Sequence, residues 1–457
     1  MPMTSGRPSP EKPNILFIFT DQQHAGMLGC AGNAHVRTPN LDRLASRGTR
    51  FERAYSVNPV CIPARFSLMT GRPPSVIGME ANEDHDNPVP EAVLRTSLGT
   101  WFRDAGYRTV YGGKIHLPGP GEIKEQVEPY GFEDLGRDSR GGLAKRCAEF
   151  LGEPHDEPFL LVASFINPHD ICYLALNEHR RRHGQPEAGG PAAEALDQAL
   201  QAHSDAGRNS LPALEECPLL PENFEVPERE LSVTMADKPA FMRSARQEWG
   251  EREWRLHRWA YARLTEQVDR EIGVVLQALE TSPYADNTIV VFTSDHGDQD
   301  GAHRCEHKGF LYEESVRVPL ILNAPRQVPT GTVDRDHLVS VGLDLLPTLC
   351  DLAGIPMPED LPGQSLRPLL RDDPPAAWRD HVVVENHLGR LVHTGRWKYM
   401  AGRPPPHDPE KCPHCRDYTT PYRPEVPEAL FDLEHDPGEM ANRADDPACA
   451  AQVRAGR

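Results

Sequence analysis

Short, continuous apolar runs alternate along the chain with longer segments of helical periodicity. Three of the apolar runs, NILFIFTDQQ, PFLLVASFINPHD and NTIVVFTSDHGD, have the length of a strand and end in polar residues. Continuous apolar runs of this length, separated by helices, are typical of parallel strands that are buried on both faces. The pattern therefore predicts an α/β fold with a large, mostly parallel sheet sandwiched by helices.

Helical periodicity is clearest between residues 257 and 281, where one apolar stripe runs along the segment. The stripe consists of Leu264, Val268, Ile272, Val275 and Leu279, which follow the spacing of one helix face. A second helix is predicted in TPNLDRLASRG, where a threonine cap, a proline in the first turn and a closing glycine mark the two ends.

Changes in composition divide the chain into parts. Residues 176–255 are polar, charged and rich in proline, which predicts an insertion that helps to form a pocket. The stretch LRDDPPAAWRD is typical of a linker, and shorter strand-like segments (HVVVEN, RWKYMA, EALFDLE) follow it. We therefore expect a main domain over residues 12–370, which includes the insertion, and a small C-terminal α+β subdomain with short antiparallel strands over residues 375–457.

Charge and hydropathy exclude several kinds of partner. The 457-residue chain has a net charge of −19 and no basic run, which argues against nucleic acid and disfavours long polyanionic polymers. The early apolar run NILFIF is too short to span a membrane, and the preceding segment lacks the apolar centre of a signal peptide. We expect no membrane partner and a cytoplasmic location, although a chain whose signal peptide had been removed would show the same pattern.

The ten cysteines are scattered, which is typical of buried thiols in a reducing compartment. Cys412 and Cys415, in CPHC, have the spacing of half a zinc site, but no second pair follows at a suitable distance. The sequence leaves open whether this pair binds a metal.

Polar residues of catalytic type follow four of the predicted strands. They are Asp21 and Gln22, Lys114 and His116, His169, and Asp295 and His296. In open parallel sheets the ligand crevice lies at the carboxyl ends of the strands, so these residues predict one shared site. Two carboxylates at neighbouring strand ends repel each other unless a cation lies between them. Oxygen ligands suit calcium, whereas the imidazole of His296 is more typical of manganese or zinc.

Cys61 stands at the start of a predicted helix in NPVCIPARFSLMTG, followed by Pro63 and Arg65. A helix N-terminus favours an anion or a negatively charged nucleophile, and a guanidinium suits oxyanions. A thiolate nucleophile would fit this position, but a soft thiolate matches a hard, oxygen-ligated cation poorly. From the residues alone, a packed thiol, a nucleophile, a metal ligand and the precursor of another group all remain open.

The segment CIPARFSLMTGR matches the C-x-P-x-R signature of the type I sulfatases, members of the alkaline phosphatase superfamily in which this cysteine is converted to formylglycine. Further matching segments follow in the family's order: PNILFIFTDQQ, TPNLDRLASRG, GYRTVYGGKIHLPG, NTIVVFTSDHGD, HKGFLYEESVRVPLI and LFDLEHDPGEMANRA. The chain thus resembles a type I sulfatase over nearly its whole length. The resemblance implies an alkaline-phosphatase-like fold and hydrolysis of a sulfate ester.

The resemblance also implies a metal site and a cofactor made from the chain itself. Asp21, Gln22, Asp295 and His296 match the family's metal ligands, together with the oxygen of modified Cys61. The implied cation is divalent, with Ca²⁺ first and Mn²⁺ or Mg²⁺ as alternatives. Conversion of Cys61 implies a formylglycine-generating enzyme as a partner during maturation.

Catalytic roles are implied in the same way. Arg65 would support the formylglycine, Lys114 would bridge sulfate and nucleophile, and His116 would accept the proton whose removal expels sulfate and restores the aldehyde. His169 and Lys308 match the residues that hold the outer sulfate oxygens and assist the departing alcohol. Further candidates for substrate binding are Asp170, His303 and His307, the two histidines also serving as reserve acids.

Two departures from the family pattern stand out. Gln22 occupies a position where many relatives have aspartate, which removes one negative charge, and Ile115 replaces the usual tryptophan. The first departure bears on metal preference and on the charge of the substrate.

The main hypothesis is a sulfatase acting on a small or terminal sulfated saccharide. The alternative is a phosphonate monoester or phosphodiester hydrolase with the same machinery, with which Gln22 and His296 are compatible. An anion-binding protein with unmodified Cys61 is disfavoured by the complete set of catalytic positions. A thiol hydrolase with His116 as base would leave Asp21 and Asp295 without a purpose.

Overall fold

A computed structural model describes residues 12–119, 126–137, 140–201, 212–231, 234–235, 238–325, 327–370, 377–402 and 426–457. Its strands are β1 (Asn14–Asp21), β2 (Thr49–Phe51), β3 (Ala54–Tyr55), β4 (Arg108–Gly113), β5 (Glu133–Gly136), β6 (Phe159–Pro168), β7 (Thr288–Ser294), β8 (Leu320–Asn323), β9 (Thr332–Asp334), β10 (Val339–Ser340), β11 (Val382–Asn386), β12 (Gly389–His393), β13 (Trp397–Gly402) and β14 (Glu428–Asp432).

The helices of the described residues vary from one turn to more than eight turns. They are α1 (Pro39–Ser46), α2 (Cys61–Thr70), α3 (Glu91–Arg95), α4 (Leu98–Asp104), α5 (Leu143–Gly152), α6 (Cys172–Arg182), α7 (Pro191–Gln201), α8 (Ala240–Glu248), α9 (Glu251–Thr281), α10 (Glu313–Val316), α11 (Val341–Ala353) and α12 (Ala450–Gly456). None of these helices is both long enough and apolar enough to cross a lipid bilayer.

Eight strands form the main sheet, in the order β5-β4-β6-β1-β7-β8-β2-β9. The five strands from β5 to β7 run parallel to one another. Strand β8 is antiparallel to both of its neighbours. The prediction of a large, mostly parallel sheet is confirmed, and the apolar run VPLILNAP supplies its one reversed strand among the described residues.

Helices cover both faces of the sheet because successive side chains of a strand point to opposite sides. On one face, Ile15, Phe17 and Phe19 belong to a core that includes residues of α2, α4 and α11. On the other face, Leu16 and Ile18 belong to a core that includes residues of α1, α5 and α9. The helices sandwich the sheet as the apolar pattern predicts.

Helix α9 contains the predicted apolar stripe, and all five residues of that stripe are buried. The helix begins at Glu251, six residues before the predicted start at residue 257. Trp254 explains the extension, since this side chain is fully buried against Trp249 and Phe224. The first turns of α9 therefore help to fold the 176–255 segment, in which α7 and α8 also lie.

A second sheet lies near the C-terminus, with the antiparallel order β11-β12-β13-β14. Helix α12 packs on it, and Val453 contacts the core around Tyr399 and Leu430. The small C-terminal unit with antiparallel strands is confirmed. Strand β12 had no counterpart in the sequence prediction because GRLVH is short and has only two apolar residues at its centre. The Cys412–Cys415 pair and part of the linker lie outside the described residues.

Candidate active site

The site forms where β1 and β7 end side by side. The two strands are parallel, with Thr20 paired to Ser294, so the next residues in each chain segment, Asp21 and Asp295, reach the same edge of the sheet. His296 follows directly and is fully buried. Ligand atoms of Asp21, Asp295, His296 and Cys61 all lie within 4.8 Å of one another. The structure thus brings together residues from three separate parts of the sequence.

Cys61 is the first residue of α2, and its thiol points into this cluster. Its Sγ atom lies 2.7 Å from Lys308 Nζ and 3.3 Å from His296 Nε2. Asp21 Oδ1 and Lys114 Nζ are slightly farther away, at 3.7 and 3.9 Å. Burial and Asp21 would each raise the pKa of the Cys61 thiol, but Lys114, Lys308 and His296 together hold this pKa well below its usual range. The position stabilises a negatively charged group.

Arg65 lies one turn after Cys61 on α2 and is fully buried. Its guanidinium donates to Asp21 Oδ2 and Asp295 Oδ2, each at 2.8 Å. It also donates to the Lys114 carbonyl and to Ser164 Oγ, at 2.8 Å in both cases. The planar five-donor fork of arginine suits such a set of acceptors at different directions. Arg65 therefore links the ends of β1, β4 and β7 to Ser164 of β6 beneath the cluster.

Two lysines give the cluster its positive charge. Lys114 Nζ lies 2.5 Å from Asp21 Oδ2, and Lys308 Nζ lies 3.6 Å from Asp21 Oδ1. Burial would lower the pKa of Lys308, but the negative charges at Cys61 and Asp21 outweigh this effect and raise it. Lys308 therefore remains an ammonium group over the whole neutral range.

Two histidines near these lysines remain neutral at neutral pH. Burial lowers the pKa of His116, with Lys114 contributing in the same direction. Burial also lowers the pKa of His169 far below its usual range, assisted by Lys114 and Lys308. His116 Nδ1 has no hydrogen-bond partner among the described residues. Neutral imidazoles at these positions can accept a proton or donate an N–H.

The donor set fits a divalent cation. Burial and the neighbouring Asp21 raise the pKa of Asp295, which is the expected sign of crowded carboxylates. Gln22 Oε1 is buried without a hydrogen-bond partner in the described part of the chain, and a metal would satisfy such an oxygen. With two carboxylates, one amide oxygen and one imidazole, the site suits a hard or borderline ion.

Two of the predicted substrate residues lie beside the cluster, but in different roles. His307 Nδ1 lies 3.2 Å from Gln22 Nε2. Asp170 is fully buried and accepts two hydrogen bonds from the Arg140 guanidinium, at 2.6 and 2.9 Å. A carboxylate paired in this bidentate way acts through its arginine, so the arrangement favours a positioning role for Asp170.

The structure does not bring His303 to the cluster. The His303 ring is fully buried and stacks on Tyr312 at 3.9 Å between ring centroids. Its nearest acidic neighbours are Glu314 and Glu439, and Lys398 lies 2.7 Å from Glu439. The Lys398 ammonium thus already supplies a positive charge to the cluster of His303, Glu314 and Glu439. Lys398 is on β13, so this cluster belongs to the contact with the C-terminal sheet.

Three residues near the site were absent from the sequence prediction. Asp298, in the motif DHGDQD, accepts a 2.7 Å hydrogen bond from Gln22 Nε2, and its place three residues after Asp295 is a signal that could have identified it. Arg140 and Ser164 gave no such signal. Ser164 lies inside an apolar strand, and Arg140 reaches the site only through the tertiary fold.

Comparison with known proteins agrees with this geometry. The family model named Sulfatase matches residues 13–355. The Δ4,5-hexuronate-2-O-sulfatase of Bacteroides thetaiotaomicron is 32% identical over 462 aligned residues, which cover 96% of this chain and 85% of that protein. The N-acetylglucosamine-6-O-sulfatase of the same organism is 28% identical, covering 85% of this chain and 76% of that protein.

Solved structures give the same result for the fold. A 2-O GAG sulfatase superposes with a TM-score of 0.76 at 29% identity, covering 97% of this chain and 91% of that one. The phosphonate monoester hydrolase of Agrobacterium radiobacter shares the fold, with a TM-score of 0.71 at 22% identity and coverage of 97% and 94%. Since the family model spans most of the chain and the relatives cover nearly all of it, the chain belongs to the sulfatase family and is an enzyme that hydrolyses sulfate esters.

Proposed function

We propose that this sulfatase removes a sulfate ester from a small or terminal saccharide, with Cys61 in its formylglycine form and Ca²⁺ as the preferred cation. The observation that carries the proposal is the convergence of Lys114, Lys308 and the carboxylate cluster on the Cys61 side chain. Relatives whose names specify a hexuronate or an N-acetylglucosamine substrate support the saccharide class. The net charge of −19 favours a small or terminal saccharide over the interior of a long polyanion.

In the proposed mechanism, an oxygen nucleophile at position 61 and a bound cation would act together with two ammonium groups of the chain. When present, the formylglycine supplies the nucleophile and the divalent cation, held by Asp21, Gln22, Asp295 and His296, supplies Lewis-acid stabilisation. Lys114 and Lys308 flank the Cys61 position and stabilise the charge on the equatorial oxygens of the transferring sulfuryl group. Arg65 keeps Asp21 and Asp295 in place by binding both carboxylates.

Proton transfer falls to three side chains. Lys308 is protonated at neutral pH and is our choice for the donor to the leaving alcohol, with His169 beside it as a hydrogen-bond donor. His116 is neutral and carries a buried Nδ1 without a partner in the described chain, so it is suited to accept a proton from the nucleophile. This division gives each residue the protonation state that its role needs.

The pocket for the saccharide involves the 176–255 segment in our proposal, within a main domain over residues 12–370. Lys238, from this segment, is buried and donates a 2.6 Å hydrogen bond to the carbonyl of Gly309, next to Lys308. The small unit over residues 375–457 would complete the pocket on the other side. This hydrogen bond ties the insertion to the loop that carries Lys308.

Mass spectrometry of the peptide containing Cys61 tests the modification, on protein made together with a formylglycine-generating enzyme. Loss of sulfur and gain of an aldehyde oxygen is the expected result, and an intact thiol under these conditions would refute the proposed mechanism. A Cys61→Ala variant made in the same way is the control for activity.

Paired assays test the reaction class. An aryl sulfate and a phosphodiester with the same aryl leaving group are compared on the modified enzyme, so the difference in rate reports only the transferred group. We expect the higher kcat/KM for the sulfate. A higher value for the phosphodiester would instead establish the phosphonate monoester or phosphodiester hydrolase alternative.

A further inference from the structure

The Gln22 side chain has hydrogen-bond partners at its amide nitrogen but not at its amide oxygen. Its side chain is fully buried at the end of β1. The amide nitrogen lies 2.7 Å from Asp298 Oδ2 and 3.2 Å from His307 Nδ1. The amide oxygen has no partner among the described residues. The side chain therefore joins the carboxylate cluster on one side to Asp298 and His307 on the other.

Asp298 determines which way the Gln22 amide points. A carboxylate accepts hydrogen bonds, so only the NH₂ group of Gln22 can face it at 2.7 Å. Asp298 is itself held, because its other oxygen accepts a 2.7 Å hydrogen bond from the backbone N–H of Asp300. The second N–H of Gln22 is then directed to His307 Nδ1, and Oε1 is left for the cation.

The contact with Gln22 assigns the tautomer of His307. An amide N–H facing Nδ1 requires that this ring nitrogen carry no proton, since two donors would otherwise oppose each other. In a neutral imidazole the proton then lies on Nε2. The His307 side chain is 16% exposed, and the ring is packed edge-on against Phe241 at 5.7 Å between centroids. Glu306 Oε2 lies 4.0 Å from the same Nδ1, which is beyond hydrogen-bond distance, so the closer Gln22 amide decides the tautomer. Its backbone has a φ of 75°, in the left-handed region.

We propose that Asp298 and Gln22 act as positioning residues that hold His307 as an Nε2–H tautomer, which makes His307 a hydrogen-bond donor to an acceptor oxygen of the bound substrate. The inference rests on the proposed function for the identity of that substrate, a sulfated saccharide. An aspartate at position 22 would reverse the pattern, because it would repel Asp298 and would demand a proton on His307 Nδ1. Gln22 thus decides whether His307 presents a hydrogen-bond donor or an acceptor to the substrate.

Nitrogen NMR of histidine-labelled, metal-free protein tests the tautomer directly. The His307 signals are assigned by their loss in His307→Gln, and the wild type is expected to show an unprotonated Nδ1 and a protonated Nε2. In Gln22→Glu we expect Nδ1 to become protonated, whereas Asp298→Asn, whose amide oxygen can still accept from Gln22, should keep the wild-type tautomer. A protonated Nδ1 in the wild type would overturn the proposal.

Kinetics of the modified enzyme test the donor role. His307→Gln places an N–H near the Nε2 position, whereas His307→Asn keeps only a group near Nδ1. We expect KM to rise about tenfold more in His307→Asn than in His307→Gln, the loss of roughly one hydrogen bond. Equal values or the reverse order would overturn the donor role. His435→Asn, at an exposed histidine of the C-terminal unit, should leave kcat and KM unchanged.

The two measurements separate this inference from the proposed function. If the modified enzyme proves inactive on sulfated saccharides, the proposed substrate fails, but the NMR experiment still decides the tautomer. If the enzyme is active and the wild-type Nδ1 is protonated, only the inference fails.

Discussion

At the scale of single residues, the site depends on like charges that are placed together and then balanced. Asp21 and Asp295 meet at the sheet edge, and Arg65 binds both carboxylates from beneath. A buried guanidinium in this position is stabilising only as long as its carboxylate partners remain. The buried carboxylates in turn depend on the guanidinium. Arg65 is therefore as much a structural residue as a catalytic one.

We expect Arg65→Met to lower the free energy of unfolding by about 3–5 kcal/mol, because it leaves two buried carboxylates without their shared partner. Urea unfolding of metal-free protein measures this loss. A divalent cation should restore part of it, since the cation would take over the carboxylate charges.

The control for this prediction is Arg95→Met. Arg95 is 73% exposed and pairs with Glu91 on the surface of α3, so its loss should cost about 0.5 kcal/mol or less. A similar cost for the two variants would contradict the structural role of Arg65.

At the scale of elements, the position of α2 decides whether Cys61 and Arg65 reach the strand ends. Helix α2 is buried along its whole length and packs against α11. Gly342, near the start of α11, makes this close approach feasible. A Cβ atom at this position would lie 2.7 Å from Ser67 Cβ and 3.2 Å from the Val57 methyl groups. The glycine therefore sets the distance between the two helices.

Gly342→Ala is expected to destabilise the protein by about 1–3 kcal/mol, because the added methyl group must push α2 and α11 apart. The same displacement should lower kcat/KM, since it moves Cys61 relative to Lys308. Thermal unfolding and a sulfate-ester assay on one preparation measure both effects.

Gly152→Ala is the matched control. Gly152 ends α5, and a Cβ there would meet no heavy atom within 4 Å. The change should be neutral or stabilise by up to about 1 kcal/mol. Destabilisation by both variants would show that the close approach at Gly342 is not the cause.

At the scale of the whole molecule, a buried lysine, Lys398, joins the C-terminal sheet to helix α10 of the main domain. Lys398, on β13, lies 3.1 Å from Glu313 of α10 and 2.7 Å from Glu439. Glu439 also accepts a 2.7 Å hydrogen bond from the backbone N–H of Glu313. The Lys398 ammonium thus contacts both buried acidic side chains.

Lys398→Met should lower the free energy of unfolding by about 3–5 kcal/mol, because it removes the ammonium group that the buried Glu313 and Glu439 side chains share. Arg396→Met, two residues earlier, is the control. Arg396 is 47% exposed and pairs with Asp432 inside the same unit, so its loss should cost about 1 kcal/mol or less. Chemical denaturation measures the free energy of unfolding of both variants. Equal losses would show that Lys398 does not hold the C-terminal sheet to α10.

Glu313 should make stability sensitive to acid. Burial would raise the pKa of Glu313, but Lys398, with His393 and Arg317, outweighs it and lowers the pKa from 4.5 to about 2. A lowered folded-state pKa adds stability that is complete above pH 4.5 and is lost as the pH falls toward 2. Burial raises the pKa of Glu439 to about 8, so Glu439 is already protonated in the folded protein in this window.

The measurement is the free energy of unfolding of wild type and Glu313→Gln between pH 5 and 2. The wild-type value should fall more steeply than that of Glu313→Gln, and the gap should close near pH 2. Parallel curves would show that Glu313 has an ordinary pKa.

The amino-acid sequence by itself determined the fold class, because periodicity and apolar run length are local properties that each element carries alone. It also determined the candidates at the strand ends, since polar residues after buried strands recur in NILFIFTDQQ and NTIVVFTSDHGD. Helix bounds were less predictable. Trp254, which extends α9 toward the N-terminus, becomes buried only through contacts with Trp249 and Phe224.

Only the tertiary structure decided which candidates share the site. Asp21, Cys61, Asp295 and His296 converge because β1 and β7 are neighbours and α2 packs beside them, whereas His303 turns toward Tyr312 and the C-terminal sheet. Contacts such as Gln22 with Asp298 and His307, or Asp170 with Arg140, join residues whose separation in sequence carries no periodic signal. Local patterns report which face of an element is buried, but the direction and partner of each polar side chain depend on how the elements pack.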